Sequence, residues 1–117
     1  MPYKDLEKRR AYYRNYYKRG SNEEIRKKRF SQLKSHAKGR KKEFNLEFDF
    51  FNSLLNSKCH YCGSNKAGTI DRVNSKIGYS KDNVVASCLK CNVMKHSLTV
   101  DEFTSHIKSI YKHLFKN

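Results

Sequence analysis

The chain has 117 residues, with 26 Lys and Arg against 11 Asp and Glu, which gives a formal net charge of +15 at pH 7. A chain of this length forms one compact unit with a modest core. No N-terminal apolar run resembles a signal peptide, and no segment approaches the roughly 20 apolar residues of a membrane span. The sequence therefore predicts an intracellular protein without a membrane partner.

The excess positive charge lies in the first part of the chain. Residues 1–45 hold 16 basic and 5 acidic side chains, whereas residues 46–117 hold 10 and 6. A field of this sign attracts polyanions and releases their counterions on contact, so nucleic acid is the predicted partner. Duplex DNA is the expected form. RNA stays open as an alternative, as in a ribosome-associated protein, because charge alone does not distinguish the two.

Two basic helices are predicted before the globular part. The first covers residues 3–20, ends at Gly20 and places tyrosines one turn apart on a single stripe, which either stacks on bases or packs on the domain. The second begins at a capping box formed by Ser21 and Glu24 and is expected to fray before Gly39. The tyrosines of the stripe are Tyr12, Tyr13, Tyr16 and Tyr17.

The second helix has only a thin apolar stripe, so we expect it to lie along a charged partner rather than in a core. Together the two helices form a predicted nucleic-acid-binding extension over residues 1–43. The side chains predicted to contact nucleic acid are Arg9, Arg10, Arg14, Lys18, Arg26, Lys27, Arg29, Lys34, Arg40 and Lys41.

Residues 44–117 are predicted to form a zinc-containing domain. Phe44 and Leu46 suggest a short strand, and a compact amphipathic helix follows it. Strands at residues 68–73 and 84–87 are expected to form an antiparallel hairpin with a long loop. The apolar residues of the compact helix are Phe48, Phe50, Phe51, Leu54 and Leu55.

A last helix is predicted near the C-terminus. Thr99 and Glu102 form a second capping box, and apolar residues at helical spacing follow, so this helix is expected to pack as core. The predicted fold class is α+β, with a small zinc-stapled hairpin and helix, basic N-terminal helices and a C-terminal packing helix. The apolar residues of the last helix are Phe103, Ile107, Ile110, Tyr111 and Leu114.

Two CxxC pairs predict a structural zinc site. Cys59 and Cys62 form one pair, Cys88 and Cys91 the other, with 25 residues between the pairs. The two-residue gap lets both thiolates of a pair bind one ion, so zinc would clamp the two ends of the hairpin. Disulfides are the competing interpretation, which an intracellular setting disfavours.

A second metal site is predicted in the crevice between the first strand and the helix after the second CxxC pair. Asp71 lies on that strand, and Asn92 directly follows Cys91. Oxygen ligands of this kind suit Mg²⁺ or a similar ion, with water and phosphate completing the coordination. His96 lies one helical turn beyond Asn92 and is a third candidate ligand, although a lone histidine is more often a surface or packing residue.

The segments CHYCG, TIDRVNSKIGYSKDNVV, CLKCN and MKHSLTVDEF resemble the zinc-knuckle branch of the HNH endonucleases, also called ββα-metal or His-Me finger nucleases. The resemblance runs from about Phe44 to the C-terminus. It implies a metal-dependent endonuclease of phage, viral or mobile-element type that hydrolyses DNA with Mg²⁺ or Mn²⁺. It also implies that Asp71 and Asn92 bind the catalytic ion and that Asn83 braces the hairpin loop.

Arg72 departs from the pattern of most of the family, which has a histidine general base directly after the strand aspartate. Arginine stays protonated at working pH and cannot accept the proton of the attacking water. Its fork of N–H donors instead suits the scissile phosphate and the charge that develops on it.

Two readings follow from Arg72. In the first, the enzyme is active and the base lies elsewhere: a branch of HNH restriction enzymes with Asp-Arg implies Tyr61 in this role, helped by His36. His60 and His96 are rival bases, and Tyr61 has the alternative of packing over the zinc knuckle. In the second reading, the chain is an inactive, zinc-stapled nucleic-acid-binding protein. Whether two copies act together as a homodimer stays open.

Overall fold

The computed structural model describes residues 5–20 and 22–115, apart from the side chains of Tyr13 and of residues 16–20. Its order of elements is helix, helix, helix, hairpin, helix, helix. The elements are α1 (Leu6–Gly20), α2 (Glu23–Gly39), α3 (Phe48–Leu55), β1 (Gly68–Arg72), β2 (Val84–Cys88), α4 (Leu89–Lys95) and α5 (Val100–Leu114). None of the described helices has the length and apolar character needed to cross a membrane.

The antiparallel hairpin is present as predicted, with strand ends within one residue of the expected ones. Gly68 pairs with Cys88 and Arg72 with Val84, so β1 and β2 are aligned over their full lengths. An isolated two-stranded sheet is marginal in water and needs a packing partner. Here α3 covers the hairpin, and the buried core that they share consists of Leu46, Phe51, Leu55, Ile70 and Val84.

The short strand expected at Phe44 is a single β-bridge. Phe44 pairs with Tyr79 in parallel orientation. Tyr79 N donates to Glu43 O and Asn45 N donates to Tyr79 O, both at 2.8 Å. Only this one stretch of the long loop between the strands runs beside Phe44, so the pairing ends after one step.

Helix α2 packs on the core, contrary to the expectation that it lies only along a charged partner. Phe30 contacts the rings of Phe44 and Phe51, each with 5.3 Å between centroids, and that of Phe48 at 5.8 Å. Phe30 belongs to the thin apolar stripe of α2, and Leu33 from the same stripe also packs against the core, so this stripe is sufficient for core packing. Edge-to-face ring pairs of this kind add roughly 0.5–1.5 kcal/mol each beyond their buried area.

Arg26 was predicted to contact nucleic acid, but the structure buries it. Its Nη1 donates to Asn52 Oδ1 at 2.7 Å and to Asn56 Oδ1 at 3.0 Å. Both asparagines belong to α3 or directly follow it, so the guanidinium fastens α2 to α3. Burial lowers the pKa of Arg26, with the charge of Arg29 adding to this effect.

The cap of α2 lies one residue later than predicted. Ser21 falls outside the described residues, and the side chain of Asn22 accepts hydrogen bonds from Glu24 N at 2.8 Å and Ile25 N at 3.3 Å. The helix continues through Gly39 instead of fraying before it. Asparagine is as good an N-cap as serine, so the helix still begins with a side-chain cap of the predicted type.

The capping box of α5 is confirmed: Thr99 N donates to Glu102 Oε1 at 3.0 Å, and Glu102 N donates to Thr99 Oγ1 at 3.1 Å. The expected core packing is limited to the first turn, where Phe103 is buried. The later apolar side chains extend past the body of the domain and are 40–65% exposed; they are Ile107, Ile110, Tyr111 and Leu114.

The tyrosine stripe predicted on α1 lies mostly outside the described side chains. Tyr12 is described and is 43% exposed. Neither base stacking nor core packing of the other three tyrosines is therefore tested.

Gly78 allows the close approach of the long loop to Glu43 and provides a test of the fold. A Cβ at Gly78 would lie 2.7 Å from Glu43 N and 2.9 Å from Glu43 C, which are backbone atoms that cannot move aside. We expect Gly78→Ala to lower the free energy of unfolding by about 1–3 kcal/mol, measured by chemical denaturation.

Gly39→Ala is the matched control for this substitution. A Cβ at Gly39 has no heavy atom within 4 Å, and alanine favours helix over glycine by up to about 1 kcal/mol. This variant should be neutral or more stable. Equal destabilisation by the two substitutions would contradict the close approach at Gly78.

Candidate active site

The four cysteines converge at one end of the hairpin. Cys59 and Cys62 precede β1, Cys88 ends β2 and Cys91 lies in the first turn of α4. All four are free thiols, and their Sγ atoms lie within 4.8 Å of one another. Four thiolates around a tetrahedral ion, each about 2.3 Å from the metal, have this separation. The cluster therefore fits a structural metal ion, as the CxxC pairs predict.

Backbone and hydroxyl groups support the sulfur atoms. Cys88 N donates to Cys59 Sγ at 3.2 Å, and Cys91 N donates to Cys88 Sγ at 3.4 Å. Hydrogen bonds with the hydroxyl and then the backbone of Ser64 lower the pKa of Cys62 to about 6. A thiol of this acidity is a thiolate at neutral pH, which is the form that binds metal ions.

Asp71 forms a buried ion pair with Lys95. The side chain of Lys95 is fully enclosed and that of Asp71 is 7% exposed, with Lys95 Nζ 3.0 Å from Asp71 Oδ2. Lys95 Nζ also donates to Arg72 O at 3.1 Å. Lys95 was not predicted from the sequence, although a signal exists. Cys91 faces the sulfur cluster, and a residue four positions later lies on the same helix face.

Tyr61 also contacts Asp71. Its hydroxyl donates to Asp71 Oδ2 at 2.6 Å, and its ring packs edge-on against Phe103 and beside His60, with centroids 5.4 and 5.2 Å apart. Burial first, then the hydrogen bond and the charge of Asp71, raise the pKa of the phenol. The ring packs against the buried cysteines, which is the alternative reading for this residue.

Asn92 lies on α4, one turn before Lys95. Its Nδ2 donates to Ile70 O on β1 at 3.1 Å, which orients the amide and leaves Oδ1 without a protein partner. The contacts of Asp71 all fall on Oδ2, so its Oδ1 is also without one. Because every buried polar side-chain atom of the described residues has a partner, both Oδ1 atoms must retain contact with solvent. A carboxylate and an amide oxygen of this kind fit a hard divalent ion.

A cavity of about 360 Å³ brings together residues that are far apart in the chain. Asp71 and Arg72 from β1 and Asn92 from α4 line it, with His36 from α2 and His96 directly after α4. All five are residues predicted from the sequence. The two other candidate bases, His60 and Tyr61, are not among the residues that line this cavity.

The guanidinium of Arg72 is held at the cavity wall. It lies over the ring of Tyr79, with 4.9 Å from Cζ to the ring centroid, and Nη1 donates to Ile77 O at 3.1 Å. A guanidinium has five N–H donors, so this contact leaves most of them for another acceptor. Arg29 adds a second positive side chain to the wall and donates to Gly68 O at 2.8 Å.

Asn83 is buried within the long loop of the hairpin. Its Nδ2 donates to Asn74 O at 3.0 Å and to Gly78 O at 2.8 Å, and its Oδ1 accepts from Asn74 N at 3.0 Å. One side chain thus joins the two ends of the loop. This is the bracing position that the family resemblance implies.

The other predicted nucleic-acid contacts are distributed over α1, α2 and the turn after α2. Arg14 is exposed and paired with Glu7 at 3.1 Å, and the side chain of Lys18 lies outside the described residues. Arg9 is partly exposed. The remaining exposed basic residues are Arg10, Lys27, Lys34, Arg40 and Lys41.

Lys27 and Lys34 lie away from the cavity. Each precedes a cavity-lining residue, Arg29 or His36, by two positions, which places it nearly on the opposite side of the helix. Arg40 and Lys41 lie in the turn between α2 and the bridge from Phe44 to Tyr79, and neither is among the residues that line the cavity.

Residues 59–98 match the sequence model of the HNH endonuclease family. Two viral proteins are also similar to the chain. An uncharacterized protein of Acanthamoeba polyphaga mimivirus is 38% identical over 78 residues, which cover 64% of this chain and 15% of that protein. An uncharacterized 29.0 kDa protein of Enterobacteria phage T4 is 33% identical over 92 residues, or 70% of this chain and 37% of that protein. The chain thus spans well under half the length of either relative.

A solved structure shares the fold. The rare-cutting HNH restriction endonuclease PacI, described for its perturbation of DNA, aligns with a TM-score of 0.53 over 74% of this chain and 76% of that chain. The identity is 18%, so the likeness concerns the fold. The matched segment 59–98 contains all four cysteines, Asp71 and Asn92. This segment of the chain is therefore similar to the HNH endonuclease family.

Proposed function

We propose that this protein is a divalent-metal-dependent DNA endonuclease that hydrolyses a phosphodiester bond in the cavity between α2, β1 and α4. The observation that carries this function is the convergence of Asp71, Asn92, Arg72 and two histidines on one cavity. A protein that only binds nucleic acid has no use for two oxygen ligands that line the same cavity from a strand and a helix.

Two metals are assigned to two kinds of site. The four thiolates suit a structural Zn²⁺, because soft sulfur ligands in a closed tetrahedral set are typical of structural zinc. Asp71 Oδ1 and Asn92 Oδ1 suit Mg²⁺ or Mn²⁺, which would supply positive charge toward a phosphate oxygen at this place.

Arg72 is assigned to the scissile phosphate. Stacking on Tyr79 and the bond to Ile77 O hold the guanidinium in a fixed orientation before substrate arrives. Fixed donors aimed at developing negative charge need no reorganisation during the reaction, which is the main source of electrostatic catalysis.

The proton acceptor is assigned to a cavity histidine, His36 or His96, rather than to Tyr61. Both histidines line the cavity, and imidazole is the side chain that exchanges protons near neutral pH. The hydroxyl of Tyr61 instead donates a hydrogen bond to Asp71 Oδ2 at 2.6 Å and thereby holds the carboxylate in place.

Duplex DNA is the proposed substrate. Asp71 is the one carboxylate among the cavity-lining residues, against the two guanidinium groups of Arg29 and Arg72. We assign the exposed cations Arg40 and Lys41, in the turn after α2, to further phosphate contacts beyond the cavity. The similarity to PacI, which perturbs DNA, supports DNA over RNA.

Cleavage tests the proposed function directly. The zinc-loaded protein should nick or cut plasmid DNA when Mg²⁺ or Mn²⁺ is added and not when the added divalent ion is left out. Asn92→Ala should lower the rate by roughly 100-fold or more, because it removes an ion ligand at the cost of one hydrogen bond, about 1 kcal/mol of stability. Asn45→Ala removes an exposed asparagine that does not line the cavity and should leave the rate unchanged.

The same assay distinguishes the candidate bases. His36→Ala or His96→Ala should abolish cleavage while Tyr61→Phe retains most of it, and the reverse result would restore Tyr61 as the base. Plasmid that stays intact under every metal and salt condition, with unchanged DNA affinity in Asn92→Ala, would leave only the binding function.

Removal of the structural metal should unfold the hairpin end of the domain. We expect a strong chelator to abolish the cooperative unfolding transition, because the binding energy of a structural zinc is part of the folding energy. Cys59→Ser should behave like the chelated protein in circular dichroism. Metal analysis of the fresh protein should give one zinc per chain, and a metal-free protein with the same melting temperature would contradict the assignment.

If DNA lies over the cavity, removal of two positive charges should weaken DNA binding by different amounts at different positions on α2 and in the turn after it. Arg40→Gln with Lys41→Gln should weaken DNA binding by about tenfold or more and reduce the salt slope of the binding constant by about 2, since each lost phosphate contact contributes about 1. Filter binding or anisotropy over a salt series measures both quantities.

Lys27→Gln with Lys34→Gln removes the same charge from the side of α2 away from the cavity and is the matched comparison. Its effect should be clearly smaller. Equal losses from the two pairs would mean that the overall charge, rather than the position of the cations, holds the DNA. Substitutions are preferred to removal of residues 1–40, because Phe30 and Arg26 belong to the folded body.

A further inference from the structure

Lys95 provides Asp71 with a cation from within the protein. Its ammonium group is fully enclosed and lies 3.0 Å from Asp71 Oδ2. It is also held by Arg72 O at 3.1 Å, and Tyr61 donates to the same carboxylate oxygen at 2.6 Å. The charge of the one cavity carboxylate is therefore already offset within the protein.

The rest of the cavity wall adds positive charge. Arg72 and Arg29 both line it, and no second carboxylate is among the lining residues. A divalent cation that enters this site meets one compensated carboxylate and two guanidinium groups. Repulsion between like charges is strong in a partly desolvated cavity.

We propose that Lys95 is a built-in counter-cation of Asp71, so that the divalent-ion site is incomplete in the free protein and binds its ion tightly only together with a DNA phosphate. This inference rests on the proposed function, which assigns Asp71 and Asn92 as ligands. It adds a role for Lys95 and an order of assembly for the site.

The physical basis is the sum of charges in the cavity. A phosphate brings a negative charge and further oxygen ligands to the side of the ion that the protein leaves open. It also neutralises part of the guanidinium charge that opposes the ion. By linkage, DNA must strengthen ion binding by the same factor by which the ion strengthens DNA binding.

Because Lys95 is enclosed, its positive charge cannot move away from Asp71. A surface lysine moves aside when a competing cation arrives, but Lys95 has no exposed side-chain area and two oxygen partners. Its charge therefore stays next to Asp71 whether or not the ion is bound. Lys95 is in this sense a positioning residue, since it acts through Asp71 and does not line the cavity.

Manganese binding to the zinc-loaded, full-length chain tests the proposal without measuring cleavage. Mn²⁺ affinity is followed by electron paramagnetic resonance, since Zn²⁺ gives no signal. A short phosphorothioate duplex, which keeps the backbone charge and resists hydrolysis, is present or absent. The wild-type protein should bind Mn²⁺ at least tenfold more tightly with the duplex. Asn92→Ala in the same series measures the Mn²⁺ that the duplex binds by itself.

The sign of the effect of Lys95→Met separates a counter-cation from a purely structural role. Without its ammonium group, Asp71 becomes an unpaired carboxylate, so Mn²⁺ should bind at least tenfold more tightly in the absence of DNA, and the gain from the duplex should shrink. Weaker Mn²⁺ binding in Lys95→Met would overturn the proposal, because it would mean that Lys95 only holds Asp71 in place.

A second variant tests the proposal even if Lys95→Met does not fold. Asp71→Asn with Lys95→Met replaces the ion pair by two neutral side chains and should fold without gaining Mn²⁺ affinity. If Lys95→Met alone is unfolded, recovery of its circular dichroism spectrum on addition of Mn²⁺ supports the proposal. If it stays unfolded in Mn²⁺ while the double variant folds, the proposal is wrong.

Failure of this inference and failure of the proposed function give different results. Tight Mn²⁺ binding by the wild-type protein that the duplex leaves unchanged contradicts the counter-cation while retaining the divalent site. Mn²⁺ binding no greater than that of Asn92→Ala, even with the duplex, removes the divalent site itself and with it the proposed nuclease.

Discussion

The ion pair between Asp71 and Lys95 is the interaction on which the rest of the site depends. Each charge is buried, and a buried charge without a partner costs several kcal/mol, so β1 and α4 are held at the distance that this pair requires. Tyr61 donates to the same carboxylate from the cysteine-containing loop, which makes Asp71 the meeting point of three segments. Asn92, one turn from Lys95 on α4, is placed beside β1 as a consequence and bonds to Ile70 O.

The cysteine cluster and the apolar core act on opposite ends of the same hairpin. At one end, Cys88 closes β2 and Cys91 opens α4, so a metal ion that joins them sets the direction in which α4 leaves the sheet. At the other end, Val84 packs under α3 together with Ile70 from the middle of β1, and Arg26 and Phe30 connect α3 to α2. The cavity lies between these two anchored ends. This explains how a two-stranded sheet, marginal by itself, can position side chains from three elements.

Local patterns in the sequence were sufficient for most of the elements and for the cysteine cluster, and they placed Asp71 and Asn92 on a strand and a helix that line one cavity. The capping box of α5 and the strand ends follow from residues a few positions apart, which act on the backbone directly. Contacts between residues that are distant in the sequence could not be predicted from local patterns. Arg26 is buried because its side chain reaches Asn52 and Asn56. These contacts depend on how α2 packs against α3, which the local sequence does not reveal. Lys95 appears as one more lysine in a basic chain, and only its spacing from Cys91 marks it as internal.

On the proposed function, Arg72 after Asp71 gives α2 a role in catalysis. The resemblance to the HNH endonucleases implies a histidine base directly after the strand aspartate, on the same strand. Here the residue after Asp71 has a permanent charge and is stacked on Tyr79, so on the proposed function a proton acceptor has to come from another element. His36 enters the cavity from α2, and the same helix contributes Phe30 to the core. On the proposed function, α2 is therefore a wall of the reaction site as well as part of the core, and its loss would affect both folding and chemistry.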